Sequence, residues 1–583
     1  MAGELPALDH LPGGTYALAL ALGTRRLIAR EWAGSPMHRW TLVSPRPEGL
    51  GASPRDPRPA DAMAGRRILA GRFELGGAVL DTGSRGDPWD RPSPSRRFAL
   101  ALHRLDWLRD LLAVGPDANA EGLRLVLDWS RVFGRWNSFS WSPTVLGRRV
   151  FNLACGVQAV SAGASDAERA LIALDLARQA RHLLATIDGP YLAAERACAA
   201  ALAGTVLTGK AGARLTDRGL RRLTGALPVT VTPDGGHASR NPRAALDLLF
   251  DLQTLDEALV HRGLAPPEEM LRAIDRLAGA VRFFILADGG LPDMQGGEAG
   301  RRAYVAAARA GEAGGATPPS RNGFHRLEGR ALQVIADAAP PAEGAWSQRA
   351  CAQPLAIEVL AQGRRLIVNC GPAPETGELE ALRLSDAAST LTVGEAMCGA
   401  PLRGVRAAAL GPRLAGAYEA VEARRQEAEG GLLLELSHDG WGRKFHLRHE
   451  RRLFMGDGVD ELRGEDRLIP IGDTAAAESG RRFIPFLIRF HLHPEVSASL
   501  ARDGRSVLLR AEGDAVGWRL RTDAREVAVE ASIYMAEGAA KRTHQVVLRG
   551  QCRADAGVKV RWKLEPAESV GAAAPIDEEP AQA

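Results

Sequence analysis

The chain has 583 residues, 45% hydrophobic and 25% charged, which fits a multidomain globular protein and excludes a disordered or fibrous one. Its 74 Lys and Arg against 70 Asp and Glu leave a net charge of +4 without a dominating basic block, so a nucleic-acid-binding surface is excluded as the expectation. Six scattered cysteines with no CxxC pair exclude a disulfide framework or zinc cluster and read as buried free thiols.

Residues 1–65 read as an N-terminal arm and linker. Glu4 and Asp9 stand where a secretory signal would be positive, and the apolar run Tyr16 to Leu22 is short, with no cleavage motif after it. The expectation is a cytoplasmic protein without a membrane span. The proline-rich "SPRPEGLGASPRDPRPADA" reads as extended chain. A strand-like alternation follows in "GRRILAGRFELGGAVLDTG".

Residues 66–312 then carry at least six amphipathic helical segments, from "RRFALALHRLDWLRDLLAVG" onward, joined by short Gly- or Pro-bearing loops. Ser165 and Glu168 have capping-box spacing. Such a run predicts a bundle, a solenoid or an α/α toroid. After "GEAGGATPPSRNGF" the period changes to two, and residues 323–566 predict a large antiparallel β-domain, with hairpin turns at Gln362–Gly363 and Asp439–Gly440. Residues 567–583 read as a disordered tail.

"PDGGHASRNP", around His237, closely resembles a D-G-G-H-x-S-R-N-P signature of the heparinase II/III-like family. "LDWLRDLLAVG", "TVLGRRVFNLAC", "ADGGLPDMQGGE", "RRLIVNCG", "LRGEDRL" and "IRFHLHPEV" resemble further blocks of that family in the expected order. The resemblance covers about residues 65–565. It implies an incomplete α/α toroid followed by a β-sandwich, and β-elimination at a uronic-acid residue of an acidic polysaccharide or oligosaccharide. It also adds the periplasm as an alternative location. The chemistry needs a group to neutralise the uronate carboxylate, a base for the C5 proton, and an acid for the leaving oxygen.

The resemblance places His237 as the neutraliser and Tyr304, among five tyrosines, nearest the base position. Arg240 is a candidate carboxylate or sulfate ligand. Asn241 is a candidate substrate contact, or an N-cap for the helix beginning at Pro242. Asn137, Trp136 and Trp141 are candidate sugar contacts, with helix packing as the other reading of the tryptophans. Two family histidine positions are replaced, one by Cys351 in "ACAQPLAIE" and one by Ala388 in "SDAASTL". No cofactor is expected, although His491 and His493 have the alternation of a metal half-site. Two functions stay open: a lyase of heparinase II/III type, and a catalytically degenerate relative that binds a glycan without cutting it. A third, hydrolysis by paired carboxylates, has no convincing pair among acids such as Asp288 and Asp293.

Overall fold

The computed structural model describes residues 14–186, 189–300, 302–309, 318–373, 379–472, 483–513 and 516–567. The expected tail, apart from its first residue, and the acidic positions Glu4 and Asp9 lie outside the described residues.

Ten helices run between Arg96 and Arg309 among the described residues. Ser165 accepts from the Glu168 amide, and the Glu168 carboxylate accepts from the Ser165 amide, so the capping box forms as its spacing predicts. The helix Ala193–Val206 is almost wholly buried. Its run of alanines is what permits this, since a small side chain on every face lets helices approach from all sides. Gly219, on the helix Gly209–Thr230, lies so close to Ala201 that a Cβ there would meet that residue's backbone at 2.7 Å.

The proline-rich arm is not a free linker. Gly51 donates to Val206 O at 2.7 Å, and Arg58 is buried on Asp251. Prolines hold the segment extended, and its polar groups find partners on the helices it crosses. The helix Gly14–Gly34 rests against the helix Gly404–Leu410 of the β-region, with Leu22 on an apolar patch formed by Leu402 and Leu410. The alternation after residue 70 forms a hairpin, Arg72–Leu75 with Ala78–Asp81.

The β-region holds an eight-stranded and a nine-stranded antiparallel sheet. Their inner faces supply one core, including Leu434, Leu453, Ile488, Phe490, Leu548 and Trp562. The alternation of Leu447–Gly456 is complete, odd positions buried and even ones half-exposed. Its last described strand, Val558–Pro566, sits inside the eight-stranded sheet between Leu462–Pro470 and Trp518–Thr522. Gln362 and Gly363, both at positive φ, make the expected tight turn. Asp439–Gly440 does not: the strands it separates do pair, but the connection holds a short helix, Gly442–Phe445, anchored by buried Trp441. Phe324, Ile335 and Leu360 of the nine-stranded sheet join the core of the helical half, so the two halves share apolar packing. No helix among the described residues is long and apolar enough to cross a membrane.

Candidate functional site

A cavity of about 1290 Å³ opens between the helical half and the sandwich. Its walls come from helices such as Pro143–Val160, Ala193–Val206 and Pro242–His261, from the Arg72–Asp81 hairpin, and from Arg349, Arg383 and Glu537 of the β-region. On its wall the Glu298 carboxylate accepts from the Glu537 amide at 3.1 Å, joining the two halves.

The turn that carries His237 is built from glycine and side-chain caps. Gly235 has φ of 95°, and a Cβ on Gly236 would stand 2.1 Å from the side chain of Asn322. Asn322 uses that space to donate to His237 O at 3.1 Å. His237 lines the cavity but is only 2% exposed. The Ser239 amide donates to its Nδ1 at 3.1 Å, and Ser239 Oγ lies 2.7 Å from the same nitrogen. Nδ1 therefore accepts, and the ring proton sits on Nε2, which faces Glu195 Oε1 at 3.2 Å. Burial alone would raise the Glu195 carboxyl. The hydrogen bond from His237, with the nearby Arg196, outweighs it and leaves the group below its ordinary value, hence ionised. The chain's own carboxylate thus takes the donor that the resemblance assigns to a substrate carboxylate. The sequence gives one weak signal for Glu195, a lone acid in an alanine-rich helix.

Asn241 is an N-cap: its side-chain oxygen accepts from Arg243 N at 2.9 Å and Ala244 N at 3.1 Å. Asn241→Ala is expected to cost about 1 kcal/mol of stability, measured by chemical denaturation. It also borders the cavity. Arg240 corrects the expectation of a substrate ligand. It sits at φ of 60° and aims its guanidinium away from the cavity, onto Asp337 Oδ1 at 2.6 Å and the carbonyls of Asn322, Gly323, Ala339 and Pro340.

Trp136, Asn137 and Trp141 are not among the residues lining the cavity, a second correction. Asn137 caps its own turn by accepting from the Phe139 and Ser140 amides. Trp141 is buried, donates to Phe133 O and packs edge-on to His182. Trp136 lies under Gly34 of the N-terminal helix. The aromatic surfaces are spent on helix packing. Tyr304, on the helix Arg302–Arg309, does line the cavity, and its hydroxyl accepts from Arg109 at 2.6 Å.

Cys351 and Ala388 are both buried and outside the cavity lining. Burial pushes the Cys351 thiol up to about 11, so it is neither thiolate nor base at neutral pH. His491 Nδ1 meets Ser532 Oγ at 2.8 Å and its Nε2 meets Asp386 O at 3.0 Å, so both ring nitrogens have protein partners. His493 turns instead to Tyr534. Among the described residues no three His, Cys, Asp or Glu side chains are grouped as a metal would require.

The arginines of the cavity were visible in the sequence, but their pairing was not. Arg58 and Arg148 both close on Asp251, at 2.6 and 2.7 Å, Arg109 on Asp56 at 2.7 Å, and Arg243 on Asp247 at 3.1 Å. Arg383 gives its nitrogens to the carbonyls of Ala350, Ser347 and Pro412. Outside the cavity lining lies a buried cluster. Arg365 binds Asp288 and Asp293, Tyr534 donates to Asp293, and Glu358 accepts from Asn369 and the Asp293 amide. Asp293 and Glu358 share Arg365, a pairing that their separation in sequence conceals. Both side chains are fully buried, which removes them from hydrolytic work on a bound glycan.

A helical toroid, a sandwich and a deep cavity between them define a protein of polysaccharide-lyase-like architecture. Residues 320–567 match the family model described as Heparinase II/III-like, C-terminal. The chain belongs to the heparinase II/III-like family. It is 50% identical over 579 residues to "FtsZ-localized protein C" of Caulobacter vibrioides, covering 97% of this chain and all of that one. Among solved structures, it resembles heparinase III with a TM-score of 0.67 at 16% identity, covering 95% of this chain and 89% of that one. It resembles a mutant of the heparan sulfate lyase HepC from Pedobacter heparinus with a TM-score of 0.55 at 16% identity, covering 96% and 91%. Likeness at that identity is one of fold.

Proposed function

We propose that this protein is a non-cleaving member of its family, one that keeps the cavity as a glycan-binding site and, like its Caulobacter relative, localises with FtsZ. The observation that carries this reading is the pairing of His237 with Glu195. β-Elimination needs a donor free to neutralise the uronate carboxylate, and here that donor is already engaged by a carboxylate of the protein. The β-region supports the same reading. Where the resemblance would place histidines stand a buried, neutral Cys351 and a buried Ala388. Tyr304 is present at the cavity wall, but its hydroxyl is held by Arg109. The retained fold and the size of the cavity support a sugar-holding role that does not need a complete acid–base set.

The test is incubation of the full chain with heparin, heparan sulfate, alginate and other uronans while the ultraviolet absorbance of the unsaturated product is followed. No product is expected. A signal that disappears in His237→Ala would restore the lyase reading. A fluorescent fusion is expected to coincide with FtsZ in cells, and a uniform distribution would remove that part of the proposal.

A further inference from the structure

We infer that the cavity takes a saccharide bearing no acidic group, whose ring hydroxyl or ammonium donates to Glu195. This rests on the glycan-binding reading above and departs from the acidic glycan that the family resemblance implies.

Three observations carry it. The first is charge. Among the described residues the cavity is lined by eleven arginines and ten carboxylates, close to electrical balance. Four of those arginines are closed on Asp56, Asp247 and Asp251, and Arg383 is spent on backbone carbonyls. A guanidinium already held in this way offers an incoming carboxylate or sulfate little, because its fork geometry is taken.

The second is Glu195 itself. It lines the cavity, is ionised, and occupies the Nε2–H of His237. A uronate brought to His237 would meet a like charge and find its donor used. Glu195 Oε2 is buried and has no hydrogen-bond partner among the described residues. A carboxylate has room for about four donors, so an ionised one seated here calls for a hydroxyl or an ammonium.

The third is an aromatic run beside that carboxylate. Tyr191 lines the cavity and packs edge-on to Trp346, with ring centres 6.4 Å apart, and Trp346 packs likewise on His237 at 5.5 Å. Trp346 stands outside the lining and backs the two rings that face the cavity, and an amphipathic Tyr191 with a nearby acceptor suits a sugar, which has an apolar face and a rim of donors.

The experiment is calorimetric titration of the full chain with three tetrasaccharides: an amino-bearing glucosamine oligomer, its N-acetylated form, and an oligogalacturonate. Both non-acidic oligomers are expected to bind at least about tenfold tighter than the uronate. The affinity for the N-acetylated form should be nearly independent of salt. A preference for the free amine over the N-acetylated form would identify ammonium as the donor, and equal affinities would identify hydroxyls. Glu195→Gln is expected to bring the uronate to within about threefold of the others, with thermal melting confirming that the variant is folded. If that variant does not fold, the ranking and salt dependence of the unaltered protein decide. Tighter binding of the uronate would overturn this inference and leave the non-cleaving reading standing. Absence of binding by all three would overturn both.

Discussion

Replacing Arg240 by alanine is expected to lower the unfolding free energy by about 3–5 kcal/mol, the usual cost of breaking a buried ion pair from one side. The guanidinium reaches out of the helical half and satisfies five acceptors of the sandwich: Asp337 and the carbonyls of Asn322, Gly323, Ala339 and Pro340. It also lies over the Phe324 ring at 4.6 Å. Its removal leaves the Asp337 carboxylate, 1% exposed, with Gln295 as its remaining side-chain partner. Arg240→Lys is expected to recover only a minor part of the loss, because a point-like ammonium cannot reach a fan of carbonyls. Denaturant unfolding measures both variants. A loss below about 1 kcal/mol for the alanine variant would mean that the guanidinium does not hold the halves together.

A second large effect is expected with pH. Burial, reinforced by the neighbouring Asp293, pushes the Glu358 carboxyl from 4.5 up to about 8, and burial raises Asp293 to about 6. The two share one Arg365, and Asp288 takes part of that cation as well. The folded protein therefore holds a proton that the unfolded chain has lost above about 4.5. Such a group contributes stability that is fully present below its unfolded pKa and lost as pH rises through the folded one. Unfolding free energy is expected to fall with pH over this window by up to about 1.4 kcal/mol per pH unit. In Glu358→Gln the slope should flatten, because the amide oxygen can still accept from Asn369 and the Asp293 amide while no proton is lost. Parallel slopes for the two proteins would show that Glu358 is already ionised when folded. The cluster ties the loop before Glu298 to the sheet, so alkaline conditions should loosen the cavity wall along with it.

The architecture was legible because periodicity is local. A helical stripe or a strand alternation is written within a dozen residues, and both halves follow it. The Asn241 cap was legible for the same reason, an Asn–Pro pair at a helix start. What could not be read is pairing across sequence. Arg240 is beside Asn241 in the chain, yet its partners lie more than eighty residues away, so its sequence neighbourhood suggested a ligand where the fold makes a clamp. Trp136 and Trp141 failed as sugar platforms because composition cannot tell which face of an aromatic side chain meets another helix. Glu195 is 42 residues from His237, on a helix whose composition advertises only packing. Asp293 and Glu358 are separated by 65 residues and by the change from helix to strand.

The position of the strand Val558–Pro566 bears on how the protein is made. Its neighbours, Leu462–Pro470 and Trp518–Thr522, leave the ribosome well before it does. Until it arrives, each presents a row of unpaired amides toward the gap. The helical half, whose core is completed by Phe324, Ile335 and Leu360, does not wait for that strand and can acquire its shape during synthesis. A nascent chain halted shortly before Val558 would thus carry a finished toroid and a sheet split through its middle, a species prone to strand exchange with another copy of itself.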